Sequence, residues 1–231
     1  MFCLFELTRL PCADVLYLDF AKAFDTVDHA TLIEKLKWYG VTGQLLDWCP
    51  DYLMDRSQRV VIDSEASVRL PVTSGVAQGS LVGPLLFVIF INDLPDAIQE
   101  HTSTALYADD TKLHRTILAA NDCDVLQQDL TSLDTWSHES NLKFNASKCK
   151  VLTVTRRKSA VIHEYHLGDV ILQRVQEEKD LGVGISSNLS WDLHVRRIVL
   201  KANRMLGLLK RTLSIPREIT AFLCDSGMVS C

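Results

Sequence analysis

The chain has 231 residues, 47% of them apolar, and a formal net charge of −5, which is material for one large or two small domains with a real core. Its longest apolar run, Leu81 to Ile91, is about half the roughly 20 residues of a spanning helix, and Met1-Phe2-Cys3-Leu4-Phe5 has no basic stretch or cleavage site, so neither a membrane segment nor a signal peptide is expected. Seven scattered cysteines with no CxxC pair argue against a disulfide framework or zinc knuckle and for an intracellular, reducing location, nuclear or cytoplasmic.

In chain order, Val15–Phe20 reads as a buried strand. Asp28 opens a helix running to Tyr39, with Leu32, Ile33 and Leu36 at helical spacing and Gly40 as its stop. A second helix covers Gln44–Met54, with Pro50 awkwardly inside it. Arg59–Asp63 and Val68–Thr73 read as strands around the turn-prone Ser64-Glu65-Ala66-Ser67. Leu85–Ile98 reads as an apolar helix opened by Pro84 and broken near Asp93 by Pro95. Thr104–Ala108 and Thr111–Arg115 form a hairpin with Asp109 and Asp110 at its tip. Asp122–Ser140 is helical through Val125, Leu126, Leu130, Leu133 and Trp136. Lys150–Thr155 is a strand, and Val161–Glu164 pairs with Val170–Val175 around Gly168-Asp169. Trp191–Leu213 is an amphipathic helix with Lys and Arg along one side. The outline is α+β: a split βαβ antiparallel sheet with helices on one face.

Charge is unevenly spread. Residues 1–142 hold 9 basic and 21 acidic side chains, whereas residues 143–211 hold 14 basic and 6 acidic. A basic last third can hold a phosphate backbone while an acidic part holds metal.

Two β-prone runs stop on carboxylates, Leu16-Tyr17-Leu18-Asp19 and Leu106-Tyr107-Ala108-Asp109-Asp110. A sheet that joins these ends makes a cluster of hard oxygen ligands suited to Mg²⁺, and two such ions about 3.5–4 Å apart are the usual machinery of phosphoryl transfer. Asp25 lies too far along the turn to be assigned to metal. Between the two ends, Ser74-Gly75-Val76-Ala77-Gln78-Gly79-Ser80 is a glycine-punctuated loop entering an apolar helix. Its glycines permit close backbone approach to a ligand, and Gln78 can hydrogen-bond a nucleotide or template sugar. Read alone, the same loop is also a tight turn before a core helix.

Taken in order, these segments resemble the reverse transcriptase domain of non-LTR (LINE-type) retrotransposons of the jockey and chicken-repeat kind, over roughly residues 13–215. The matching pieces are Tyr17-Leu18-Asp19-Phe20 with Lys22-Ala23-Phe24-Asp25, Gln78-Gly79-Ser80 with Gly83-Pro84, Ile91-Asn92-Asp93-Leu94, and Tyr107-Ala108-Asp109-Asp110. Leu142-Lys143-Phe144-Asn145 with Lys148, Leu181-Gly182-Val183, and Leu189-Ser190-Trp191 with His194 follow.

The resemblance implies a polymerase palm with partial fingers and the start of a thumb. The expected division is a palm with partial fingers over 1–160, a primer-grip-like hairpin region over 161–190, and a truncated thumb start and tail over 191–231. It implies that Asp19 and Asp109, with Asp110 alongside, bind two Mg²⁺ that Mn²⁺ can replace. Phe24 falls at the sugar gate, where an aromatic ring would collide with a 2′-hydroxyl. Lys22, Ala23, Gln78 and Gly79 fall around the incoming nucleotide, and Lys148 at a lysine that assists the departing pyrophosphate. Leu181-Gly182-Val183 looks like the hairpin that grips the primer end. The implied partners are an RNA template, a DNA primer and a dNTP.

The pattern also departs from the family. Only Met1–Pro11 precedes Cys12, where the family carries fingers segments whose basic residues clamp the triphosphate. Ala77 stands where a proline is usual, Cys49-Pro50 where the family has ordinary helix residues, and the tail from Cys224 to Cys231 has no family counterpart. The expectation is therefore a fragment or decayed copy with weak or lost activity. The alternatives are a non-catalytic nucleic-acid-binding remnant using residues 143–211 and, well behind it, a metal-dependent phosphatase or nuclease.

Overall fold

The computed structural model describes residues 12–155 and 161–212. The segment Met1–Pro11, the end of the last expected helix at Leu213, and the tail from Cys224 lie outside the described residues. The chain forms two compact units that divide between Val175 and Gln176, so residues 161–190 are shared between them.

The first unit is built on β1 (Cys12–Leu18), of which every residue but Tyr17 is buried. A strand covered on both faces reads as a near-continuous apolar run, and this one does so apart from Asp14. It pairs antiparallel with β7 (Asp110–Thr116) on one side and with β8 (Lys150–Thr155) on the other. Beyond β7 lies its hairpin partner β6 (Ser103–Tyr107), and beyond β8 lies β11 (Gln173–Val175), which runs parallel to it. The sheet order is therefore β11-β8-β1-β7-β6. Without β11 this is the βαββαβ arrangement expected of a split βαβ sheet; the parallel edge strand was not.

Short helices fill the first crossover: α1 (Ala23–Thr26), α2 (His29–Trp38), α3 (Gln44–Leu53) and α4 (Val82–Ile91). A 3₁₀ turn, Leu94–Ala97, then carries Pro95 in its first turn. The second crossover is α5 (Ala120–Glu139). Register places Leu16 opposite both Leu113 and Val151. These three join Phe87 and Phe90 of α4 and Leu126, Leu130 and Leu133 of α5 in one core.

Helix starts follow their caps. Asp28 accepts from the Thr31 amide and hydroxyl at 2.8 Å each, which fixes the first turn of α2. Those bonds, the backbone one foremost, hold the Asp28 carboxyl below its ordinary range. Asp122 reaches back to the Leu118 and Ala119 amides at 2.9 Å and opens α5 two residues before the expected start. Pro50 does lie inside α3.

Three further details differ from the sequence expectation. First, α4 starts at Val82, because Pro84 still falls in the first turn, where no amide is needed, and the Gly83 amide donates to Ser80 Oγ at 2.8 Å. Second, the surface hairpin turns at Asp63-Ser64, both in the left-handed region, with β3 (Val61–Ile62) against β4 (Glu65–Ala66) and β2 (Ser57–Gln58) against β5 (Leu70–Pro71). Third, Val161–Glu164 is not a strand; β9 (His166–Leu167) pairs instead with β10 (Val170–Ile171). The residues ahead of β9 serve a buried polar cluster. Asp14, fully buried, accepts from Thr153 Oγ1 at 2.5 Å and Tyr165 Oη at 2.8 Å and faces Arg174 at 3.3 Å. Desolvation, with Asp14 beside it, drives the Tyr165 phenol far above its ordinary range.

The second unit has β12 (Glu177–Asp180) and β13 (Val183–Ser186) joined by Leu181-Gly182, both at positive φ, as a two-residue hairpin requires. Its helix α6 (Asp192–Thr212) has no buried residue among those described. His194 Nδ1 lies 3.1 Å from the Gly184 amide, and Arg197 pairs with Glu177 at 3.0 Å. Among the described residues no helix is long and apolar enough to cross a membrane.

Candidate active site

The last pair of the β1–β7 ladder is Leu18 opposite Thr111, and the last of the β6–β7 ladder is Tyr107 opposite Asp110. Asp110 is thus the first residue of β7, and Ala108-Asp109 form the turn, with Ala108 at φ 52°. Asp19 directly follows Leu18, and Asp110 directly precedes Thr111 with Asp109 before it in the turn. Neighbouring strands are about 5 Å apart, so the three carboxylates share one end of two adjacent strands. Asp109 and Asp110 are exposed and Asp19 is half-buried.

The segment after α5 fixes the Asp19 backbone on both sides. The Asn145 amide donates to Asp19 O at 2.7 Å, and the Asp19 amide donates to Cys149 Sγ at 3.4 Å. Burial pushes the Cys149 thiol up to about 11, so it stays protonated and neutral beneath a carboxylate-bearing strand end. Phe20 forms an isolated bridge with Phe144, their rings stacked at 4.5 Å, and the Ala21 amide donates to Lys143 O at 2.8 Å. Asn145 O accepts from the amides of Lys148 and Cys149, a tight turn that presents Lys148 Nζ 3.5 Å from Asp19 Oδ1.

The glycine loop is closed onto the segment after β1. The Val76 amide donates to Phe24 O at 2.7 Å and the Gly75 amide to Val27 O at 2.8 Å. His29 Nε2 lies 2.8 Å from Gly75 O. Gly75 has φ +87°, and a Cβ there would lie 2.7–2.8 Å from three backbone atoms of Asp25. No side chain fits, which is the physical content of this glycine. Gln78 Nε2 donates to Asp25 Oδ1 at 2.9 Å. The half-buried Phe24 ring packs on Phe87 with centroids 4.5 Å apart, so its position is set from the core side.

Loop, α1 and the surface hairpin together bound an open cleft of about 710 Å³. Lys22, Asp25, Arg56, Ser74 and Gln78 supply its polar wall. Of the residues singled out in the sequence, Lys22 and Gln78 line this cleft, Ala23 is buried behind it in α1, and Gly79 stands at φ +81° with open space around it. Asp25 and Arg56 were missed. Asp25 was readable in Ala23-Phe24-Asp25, but its partner Gln78 is 53 positions away. Arg56 carries no local signal; only the hairpin brings it to the cleft.

Among the described residues, no three His, Cys, Asp or Glu side chains form a ready-made metal cage. The donor set at the strand ends, carboxylate oxygens only, matches a hard cation.

The sequence of this chain matches the family described as reverse transcriptase (RNA-dependent DNA polymerase) over residues 11–185. It is 31% identical over 191 residues to the RNA-directed DNA polymerase from mobile element jockey of Drosophila melanogaster, covering 79% of this chain and 20% of that protein. It is 32% identical over 200 residues to a probable RNA-directed DNA polymerase from transposon BS of the same organism, covering 79% of this chain and 21% of that protein. The chain thus spans about a fifth of the length of these relatives. In fold it is similar to Candida tropicalis telomerase solved in complex with a fragment of telomeric RNA, with a TM-score of 0.55 at 10% identity over 80% of this chain and 31% of that one.

Proposed function

Because the chain belongs to the reverse transcriptase family, whose members generally use divalent metal ions, we propose that its first unit carries the nucleotidyl-transfer site of an RNA-directed DNA polymerase. The observation that carries this reading is the register that brings Asp19 to the hairpin turn of Asp109 and Asp110. The proposed substrates are a dNTP, a DNA primer and an RNA template. Asp19 and Asp109, with Asp110 alongside, are the proposed ligands of two Mg²⁺, for which Mn²⁺ can substitute. Ions bound there would make the primer 3′-oxygen a better nucleophile and offset charge on the departing pyrophosphate.

The chain's own residues do the rest. Phe24, backed by Phe87, presents a ring where a ribose 2′-hydroxyl would sit and favours deoxynucleotides. Gln78, tied to Asp25, orients the base or sugar from the loop side. Lys22 and Arg56 put two cations on the wall of the cleft and attract the triphosphate. Lys148 balances Asp19 and stands where it can hand a proton or charge to the leaving group. In the second unit, the Leu181-Gly182 turn is the proposed primer-grip element and α6 the proposed thumb start. Cys12, Cys49, Cys123 and Cys149 are free and buried, which suits a reducing, intracellular setting.

The test is extension of a DNA primer on an RNA template by the 231-residue chain with Mg²⁺ or Mn²⁺, beside Asp109→Ala. Extension lost in the variant supports the proposal. Template binding that survives Asp109→Ala, with no extension by either protein, favours a non-catalytic nucleic-acid-binding remnant. The exposed Arg196, Arg197, Lys201 and Arg204 of α6 are the observation behind that second reading.

A further inference from the structure

The strand pairing beside Asp19 is interrupted. β1 and β8 pair regularly up to Tyr17 opposite Lys150, and the two segments meet again at the isolated bridge of Phe20 with Phe144. Between these contacts the first segment has two residues, Leu18 and Asp19, and the second has five, Asn145 to Cys149. The three surplus residues are taken up in a tight turn, in which Asn145 O accepts from the amides of Lys148 and Cys149. A bulge of this kind bends one strand, takes ladder partners from the other and re-aims the side chains around it.

Asp19 lies where the ladder is broken. Its carbonyl keeps a backbone donor, the Asn145 amide at 2.7 Å. Its amide donates to a side chain, Cys149 Sγ at 3.4 Å. The same sulfur lies 3.9 Å from Asp19 O. Cys149 is 1% exposed and its own amide is tied to Asn145 O at 3.2 Å, so the sulfur is held in this place. A thiol is a weak acceptor, but an enclosed amide with no acceptor costs more. The turn that displaces the backbone also carries Lys148 Nζ to 3.5 Å from Asp19 Oδ1.

Resting on the function proposed above, we infer that Cys149 is a positioning residue for metal binding. Its thiol stands in for a ladder carbonyl and holds the Asp19 peptide, and with it the carboxylate, at the strand end shared with Asp109 and Asp110. It acts through the backbone of a proposed ligand and is not itself a ligand.

Two measurements on the 231-residue chain test this without turnover. Amide hydrogen exchange by NMR reads the Asp19 bond. Exchange of that amide is expected to be slow in wild type and about fivefold faster in Cys149→Ala and in the space-filling Cys149→Val, which both lack the acceptor. Titration of Mn²⁺, followed by the EPR signal of the free ion with no nucleotide present, reads the ion site, and Asp109→Ala defines which binding belongs to it. Both variants are expected to weaken that binding about tenfold, and Cys149→Ser, which keeps an acceptor, to stay within about threefold of wild type. Cys49→Ala removes another buried thiol, bonded to Leu45 O within its own helix, and is expected to lower the melting temperature without moving either readout. Fast Asp19 exchange in wild type overturns the inference, as does an equal loss of Mn²⁺ affinity in Cys49→Ala. Affinity lost in Asp109→Ala but kept in Cys149→Ala and Cys149→Val leaves the metal site standing and sinks this inference alone. A wild type without Asp109-dependent Mn²⁺ binding sinks both.

Discussion

Gly75→Ala is the sharpest single perturbation of the candidate site's framework. An L-residue at φ +87° costs about 1–2 kcal/mol relative to glycine. The added Cβ would also meet Asp25 O, C and Cα at 2.7–2.8 Å, where ordinary contact begins near 3.4 Å. The loop must therefore retreat by roughly 0.6 Å from a segment of backbone that cannot swing aside. That retreat stretches three bonds, Gly75 N to Val27 O, Val76 N to Phe24 O and His29 Nε2 to Gly75 O, each with a net value of about 1 kcal/mol. The sum is about 3–5 kcal/mol, which lowers the melting temperature of a chain this size by on the order of 10 °C. Gly79→Ala is the control. It has nearly the same φ, +81°, but nothing within 4 Å of the new Cβ, so it carries only the conformational cost of about 1–2 kcal/mol. Thermal and urea unfolding of both variants measure the difference. Equal losses in the two would refute the claim that the loop is zipped against Asp25.

Asp19→Asn and Asp109→Asn are expected to reduce primer extension at least about a hundredfold with little change in stability, because both side chains are at least partly solvated. Asp25→Ala frees Gln78 and is expected to raise the KM for dNTP about threefold while changing stability by less than about 1 kcal/mol, measured by steady-state extension and urea unfolding. Asp14→Asn leaves Arg174 without its anionic partner inside the fold and is expected to cost about 3 kcal/mol in urea unfolding. Asp28→Ala is expected to cost about 1 kcal/mol at neutral pH. The Asp28 carboxyl is held below the ordinary carboxylate range in the folded chain, so its contribution is present above that range and fades as pH falls through the folded pKa. Stability curves of wild type and Asp28→Ala should therefore converge on acidification, and a constant gap would count against the cap.

The elements were legible where the signal is local. Helical spacing and the Asp28 cap marked α2 nearly to the residue, and short β-prone runs marked the places of β1, β7 and β8. The carboxylates, Phe24, Gln78 and Lys148 were singled out, as candidates only, because each lies in a short ordered segment. Cooperative packing decided what no segment contains. The β1–β7 register brings residue 19 beside residues 109 and 110, and the closure of Gly75 on Asp25 ties Gln78 into the cleft. Arg56 carries no signal of its own until the surface hairpin brings it to the cleft. A side chain's type and its near neighbours are written in the chain. Which distant backbone it faces is settled only when loops close and strands pair, since those contacts form between segments that carry no mark of one another.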